Sequence, residues 1–246
     1  MILLGIDTGG SSIKGAPVDI AAGRLAAPAI AIATPKPSTP AAVVEVAREL
    51  AARFTTTGAV GFALPSVVRQ GRVYTAANID HSWIGTDGAA LLGGALGRPC
   101  VLLNDADAAG LAEMRVGAGR GLGGTVIVLT LGTGIGSAVF IDGTLVPNTE
   151  FGHLIMKGVD AEELASGRAR VKRGLSWEAW AGALSEYLQY MHSLLWPGTF
   201  ILCGGVTENY REFGHLLRCP ANIVPGELTS ESGIVGAALA AAEAGA

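Results

Sequence analysis

The chain has 246 residues, half of them apolar and 15% charged, with a formal net charge of −4 at pH 7. This composition excludes intrinsic disorder, because there is enough apolar surface to bury a sizeable core, and it argues against a globally basic nucleic-acid binder. The 36 glycines are about twice the ordinary usage of roughly 7%; they follow no collagen period and cluster between apolar runs, as tight loops between buried strands do.

Ile2 to Ile6 reads as a buried strand that runs into the loop Asp7-Thr-Gly-Gly-Ser-Ser12. Ile13 to Asp19 resumes as a strand, and after a turn at Gly23 another passes through Ile30 and Ile32, so the chain is expected to open on an antiparallel meander. Thr39 is an N-cap candidate with Pro40 at the first helical position. Val43, Ala47, Leu50 and Phe54 then fall on one helical face, and Gly58 closes the unit. Val60 to Leu64 is a strand ending at Pro65. Cys100 to Leu103 is another, ending at Asn104-Asp105 and leading into a helix from Ala106 to Arg115. Thr125 to Leu131 is the clearest strand; it enters Gly132-Thr-Gly-Ile-Gly136, continues as Ser137 to Ile141, and turns at Asp142-Gly143. A long helix spans Trp177 to Leu195 before Pro197-Gly198, Thr199 to Leu202 is a strand ending at Gly204-Gly205, and an alanine-rich helix from about Gly233 finishes the chain.

Gly5 to Asp19 is weakly echoed by Leu129 to Asp142, each a strand, a Gly/Thr/Ser loop and a second strand. This echo suggests two similar α/β lobes facing a cleft. Cys100, Cys203 and Cys219 lie far apart with no CxxC spacing, which argues against a disulfide framework and a cysteine-rich zinc site and fits a reducing compartment. No basic, signal-like segment precedes the first strand, and the most apolar run, Thr125 to Ile141, is short for a membrane span and broken by glycines. The expectation is a soluble cytoplasmic protein with no membrane or nucleic-acid partner.

Two glycine loops follow apolar strands, and neither has the P-loop pattern. Each offers unobstructed backbone N–H groups with hydroxyls between them, Thr8, Ser11 and Ser12 in the first and Thr130 and Thr133 in the second, which suits phosphate oxygens. Lys14 adds a cation beside the first. Either loop alone reads equally as a hairpin turn; the pair favours phosphate. Asp105, at a strand-to-helix junction, could accept a proton in phosphoryl transfer or could simply cap the helix, whereas Asp107 would lie inside that helix. Glu150 and His153 flank a glycine, an arrangement that also serves a loop hydrogen bond. The run Arg168, Arg170, Lys172, Arg173 is either a solvated face or a track for a polyanion.

Taken together these segments resemble the ROK sugar kinases of the actin-like ATPase superfamily. Asp7-Thr-Gly-Gly-Ser-Ser-Ile-Lys-Gly15 is similar to their first phosphate loop, and Leu131-Gly-Thr-Gly-Ile-Gly136 to the second. Leu103-Asn-Asp-Ala-Asp107 resembles the catalytic segment, Glu150-Phe-Gly-His153 the sugar motif, Gly204-Gly205-Val206 the nucleotide-side loop, and Ser232-Gly-Ile-Val-Gly-Ala237 the closing helix. Within the family, residues 75–80, 82–87, 104–114 and 145–150, and the missing zinc cysteines, resemble the short members that use inorganic polyphosphate as donor.

The resemblance implies two actin-like (ribonuclease H-like) lobes around a central cleft, a small one over 1–103 plus 232–246 and a large one over 104–231. It implies a glucokinase making glucose 6-phosphate from polyphosphate and ATP, a homodimer with Mg²⁺ and without structural zinc. Asp105 would be the base. Asn78, Asn104, Glu150, His153 and Glu162 would bind the sugar along with it. Gly9, Gly10, Ser11, Lys14, Thr133, Gly134, Gly204 and Gly205 would hold phosphates or nucleotide, and Asp7 would hold Mg²⁺, directly or through water. The family's usual G-x-P-G loop is Ala63-Leu-Pro-Ser66 here, and the acid two residues after the histidine is replaced by Ile155. The alternatives are a strictly ATP-dependent hexokinase of the same family, acting on glucose or mannose, and a sugar sensor of the family's repressor branch. The sensor fits poorly, because the sequence opens on its first strand with no helix-turn-helix.

Overall fold

A computed structural model describes residues 1–245; Ala246, included in the expected small lobe, lies outside the described residues. The chain forms two compact units, Met1–Ala112 with Glu231–Ala246 and Glu113–Ser230. Among the described residues no helix is long and apolar enough to cross a membrane.

In the first unit β1 (Ile2–Thr8) and β2 (Ser12–Asp19) form an antiparallel hairpin. β3 (Arg24–Leu25) and β4 (Ile30–Ala33) both pair with β2, so the expected meander stops at β3 and β4 returns to the same edge. α1 (Pro40–Ala52) begins where Thr39 Oγ1 accepts the Ala42 N–H at 3.3 Å. It carries the chain to β5 (Val60–Leu64), parallel to β1. A small hairpin, β6 (Val68–Arg69) and β7 (Arg72–Val73), and then α2 (Gly88–Leu96) precede β8 (Cys100–Asn104), parallel to β5. α3 (Asp105–Val116) follows directly, starting one residue before the expected Ala106. The core lies between the sheet and α1 and α2, with Trp83 fully buried. Its indole N–H donates to Ser38 O at 2.9 Å, so the burial leaves no polar group stranded. The last helix of the chain, α8 (Ser232–Glu243), is almost entirely buried. Gly5 and Gly61 on the strands and Gly236 on α8 mark the contacts, since a Cβ at any of them would strike the backbone of the facing element.

The second unit repeats the plan. β9 (Thr125–Leu131) and β10 (Ile135–Ile141) form a hairpin, and β11 (Thr144–Thr149) adds to β10. A short hairpin of β12 (Ile155–Met156) and β13 (Val159–Asp160), then α4 (Ala161–Ala165) and α5 (Gly167–Lys172), lead to α6 (Trp177–Leu195). β14 (Thr199–Cys203) is parallel to β9; α7 (Tyr210–Phe213) and β15 (Asn222–Pro225), parallel to β14, complete the sheet. The strand orders β3-β2-β1-β5-β8 and β11-β10-β9-β14-β15 are the same topology used twice, and the echo between Gly5–Asp19 and Leu129–Asp142 falls on the two equivalent hairpins. Each unit gathers its glycine loop and the ends of its parallel strands at one sheet end, where open α/β sheets bind ligands.

Candidate active site

In the first unit the hairpin register sets Asp7 of β1 directly opposite Lys14 of β2, on the same side of the ladder. The intervening turn is tight: Gly9 N–H donates to Ser12 O at 3.0 Å, and Thr34 of the β4 end donates its hydroxyl to Gly9 O at 2.6 Å and its N–H to Ser11 O at 3.1 Å. Gly10 and Ser11 are left exposed on the outside of that turn. Burial, and after it the charge of Asp105, pushes the Asp7 carboxyl up to about 7, with Lys14 pulling the other way. Thr8, the next residue of β1, is buried with its hydroxyl unpartnered. The first turn of α8 also reaches this carboxylate: a Cβ on Gly233 would stand 2.6 Å from Asp7 Cγ. Only a glycine lets the helix backbone come so near an acid, and a helix N-terminus favours the charged form there.

At the end of β8, Asn104 rather than Asp105 caps α3. Asn104 Oδ1 accepts from Ala106 N–H at 2.8 Å and Asp107 N–H at 3.0 Å, while its Nδ2 donates to Ser66 O at 3.1 Å. Asp105 accepts from the N–H of Ala106 at 2.9 Å, and burial raises its carboxyl above the ordinary range against the lowering effect of backbone hydrogen bonds from Ala106 and from its own N–H. The cap is thus supplied by its neighbour, and the Asp105 carboxyl is not needed to start α3. Ser66, buried at the end of the β5 loop, also donates its hydroxyl to Thr75 O, and Thr75 Oγ1 accepts from Val67 N–H at 2.9 Å. These bonds tie down the segment carrying Asn78, which is exposed between buried Ala76 and Ile79.

In the second unit Gly132 N–H bonds Gly134 O at 3.1 Å, leaving Thr133 exposed at the loop tip. Glu162 Oε2 accepts the N–H of Ile135 at 3.1 Å. A Cβ on Gly134 would collide with this carboxylate, and one on Gly152 would collide with Ile135 O, so both glycines are set by close packing. Gly204, with φ of 89°, packs against Leu131 at the end of β9; its carbonyl accepts the Thr207 hydroxyl at 2.6 Å, and Gly205 beside it is open. His153 is exposed and hydrogen-bonds through Nδ1 to Asp160 Oδ2 at 2.9 Å. A carboxylate can only accept, so Nδ1 carries the proton and Nε2 points elsewhere. That bond first, and the charges of Glu162, Asp160 and Glu150 after it, raise the His153 pKa against the opposing effect of burial. Glu150, His153 and Glu162 are therefore gathered about one turn, and Asp160 is a member of the cluster that no sequence motif pointed to.

The first unit thus brings Asp7, Lys14, Asn104 and Asp105 to one end of its sheet, and the second brings Thr133, Gly134, Glu162, Gly204 and Gly205 to the equivalent end of the other. Two sheets of one topology with these loops define the actin-like ATPase fold of the ROK sugar kinases. The chain belongs to the ROK family, whose model matches residues 3–170. It is 46% identical over 237 residues to the polyphosphate glucokinase of Mycobacterium tuberculosis (strain ATCC 25618 / H37Rv), covering 96% of this chain and 89% of that one. The crystal structure of the inorganic polyphosphate/ATP-glucomannokinase of Arthrobacter sp. strain KM superposes with a TM-score of 0.94 and 46% identity over 99% of both chains. A ROK family glucokinase from Streptomyces griseus, in complex with glucose and AMPPNP, matches with a TM-score of 0.82 and 27% identity, covering 97% of this chain and 98% of that one.

Proposed function

We propose that this chain is a glucokinase that transfers the terminal phosphoryl group of inorganic polyphosphate, and of ATP, to the 6-hydroxyl of glucose. The observation that carries the reading is the 46% identity, over 96% of the chain, to a polyphosphate glucokinase. The likeness to the Arthrobacter polyphosphate/ATP-glucomannokinase supports both donors and adds mannose as an acceptor to test.

In this reading Asp105 takes the proton of the 6-hydroxyl as that oxygen attacks the terminal phosphorus. The O6–P bond forms while the bridging P–O bond opposite it breaks, and the shortened polyphosphate, or ADP, leaves. A carboxyl already raised by burial is better matched to that proton than an ordinary aspartate. Asn78, Asn104, Glu150, His153 and Glu162 hold sugar hydroxyls. Gly9, Gly10, Ser11, Lys14, Thr133, Gly134, Gly204 and Gly205 hold the donor, through backbone N–H groups, hydroxyls and one cation. The rate then comes from alignment and from charge stabilisation of the in-line displacement.

The Asp7 carboxylate, opposite Lys14 at the end of β1, is a hard oxygen donor of the kind that suits Mg²⁺. Bound there, Mg²⁺ would neutralise charge on the transferring group. The free cysteines Cys100, Cys203 and Cys219 support a cytoplasmic setting, and the family resemblance supports a homodimer, which light scattering on the purified protein tests.

The deciding experiment is glucose 6-phosphate formation with Mg²⁺, with polyphosphate and ATP compared at matched phosphoryl concentration. A higher kcat/KM with polyphosphate supports the reading. Turnover with ATP alone replaces it by an ATP-dependent hexokinase, and turnover with neither removes glucose as the acceptor.

A further inference from the structure

Four of the six residues from Arg168 to Arg173 are basic, and they lie on α5 and its C-cap. None of the four makes an ion pair among the described residues. The short helix is attached to the second phosphate loop. Arg168 N–H donates to Gly132 O at 3.0 Å. A Cβ on Gly167 would stand 3.2 Å from that same carbonyl and 3.4 Å from Val206 Cβ. The start of α5 therefore adjoins the place where the Gly132–Gly136 and Gly204–Val206 loops come together.

The four cations do two different jobs. Arg170 is half-buried, with its guanidinium 3.4 Å from the centre of the Trp177 ring, and its Nε has no hydrogen-bond partner. Trp177 in turn stacks on Phe213 at 5.6 Å. This cation–π stack pins α5 to α6 and keeps the helix in place. Arg168 and Lys172 are four residues apart and so share another face, one turn from each other, and both are exposed. Arg173, also exposed, ends the helix. Exposed like charges held one turn apart repel one another, and a bound polyanion relieves that repulsion.

We propose that Arg168, Lys172 and Arg173 form a subsite for the distal phosphates of a polyphosphate chain, beyond those held by the glycine loops. The proposal rests on the reading of polyphosphate as donor and adds to it how a long chain is told from a short one. A short donor such as tripolyphosphate is held mainly by the loops, and the distal phosphates of a long chain extend to α5. Arg170 is a positioning residue for this track through its stack on Trp177.

The test compares Arg168→Gln/Lys172→Gln with wild type, using long-chain polyphosphate and tripolyphosphate as donors. The expected result is a rise of about tenfold or more in KM for the long chain and less than about twofold for tripolyphosphate, with kcat retained. In wild type the long-chain KM climbs with added salt, because exposed charges are screened, and this dependence flattens in the variant. Calorimetric titration of long-chain polyphosphate onto the glucose-bound protein should weaken in parallel. Arg168→Lys restores most of the affinity. Equal changes for both donors, or none for either, would overturn the track while leaving the polyphosphate reading intact. A wild type that turns over no polyphosphate overturns both, and unaltered thermal midpoints show that the variants are folded.

Discussion

Ser66 and Asn104 are joined backbone to side chain: the Ser66 carbonyl accepts the Asn104 amide at 3.1 Å, and the Ser66 hydroxyl reaches back to the carbonyl of Thr75. One buried residue therefore braces the helix-capping asparagine next to Asp105 and the segment that carries Asn78. The serine does not project into an open pocket; it is 3% exposed and its hydroxyl is already engaged. Replacing it with the family's usual glycine keeps the carbonyl bond and cuts the link to Thr75. A buried hydrogen bond of this kind contributes about 1 kcal/mol, so Ser66→Gly should raise the KM for glucose roughly fivefold at little change in kcat. Steady-state kinetics on glucose and mannose check this; an unchanged KM for both sugars removes Ser66 from the positioning role.

Asp105 is tested by removing its carboxyl without disturbing the cap. Asn104 makes the bonds to Ala106 and Asp107 on its own, so Asp105→Ala should fold with its α3 intact. We expect kcat to fall by about 10²–10⁴, the usual worth of a general base, while glucose still binds with near-wild-type affinity in calorimetry. A variant within tenfold of wild type would mean that another group takes the proton.

Glu113 shows how much the second unit depends on one acid. It is fully buried, and its carboxyl oxygens accept three backbone N–H groups, from Ala118 at 3.0 Å, Glu227 at 3.1 Å and Leu228 at 2.9 Å. It thereby joins the end of α3 to the loop after β15. Glu113→Ala strands three buried donors, each costing about 1–3 kcal/mol, and should lower the urea midpoint sharply. Glu113→Gln keeps one acceptor oxygen and should fall between the two. Equal midpoints for Gln and Ala would show that the cavity, not the lost acceptors, sets the cost.

The long elements were readable from sequence because each carries its own periodicity and its own punctuation. Thr39-Pro40 starts α1 as capping chemistry requires, and the five-residue runs Val60–Leu64 and Thr199–Cys203 are fully buried strands. The hairpins β6–β7 and β12–β13, and α4 and α5, have too few residues to show any period. α2 is small and apolar on all sides, although Asp87 at its N-cap and Gly97 in the left-handed conformation mark its ends. The candidate site was legible as a set of neighbours wherever a glycine motif or a strand end carried it. Ser66 with Thr75, and His153 with Asp160, are pairs made only by the folded path of short hairpins, and no spacing rule selects Asp160 over its acidic neighbours Glu162 and Glu163.

The His153–Asp160 pair gives the pH dependence its sign. The hydrogen bond to Asp160 holds the His153 pKa above its ordinary value of 6.5, so the imidazolium persists to higher pH in the folded chain than in the unfolded one. Linkage then makes the pair's contribution to stability complete below about 6.5 and lost as pH rises through the folded value. Both side chains are more than a third exposed, so solvent screening keeps that contribution small, and the titration itself is the better readout. In NMR the Hε1 resonance of His153 should titrate above 6.5, and in Asp160→Asn it should move down toward that value. If His153 also binds a sugar hydroxyl through Nε2, Asp160→Asn should raise the glucose KM most in the pH range where wild type is charged and the variant is neutral. A glucose KM that keeps the wild-type pH profile in the variant would show that the charge on His153 plays no part in holding the sugar.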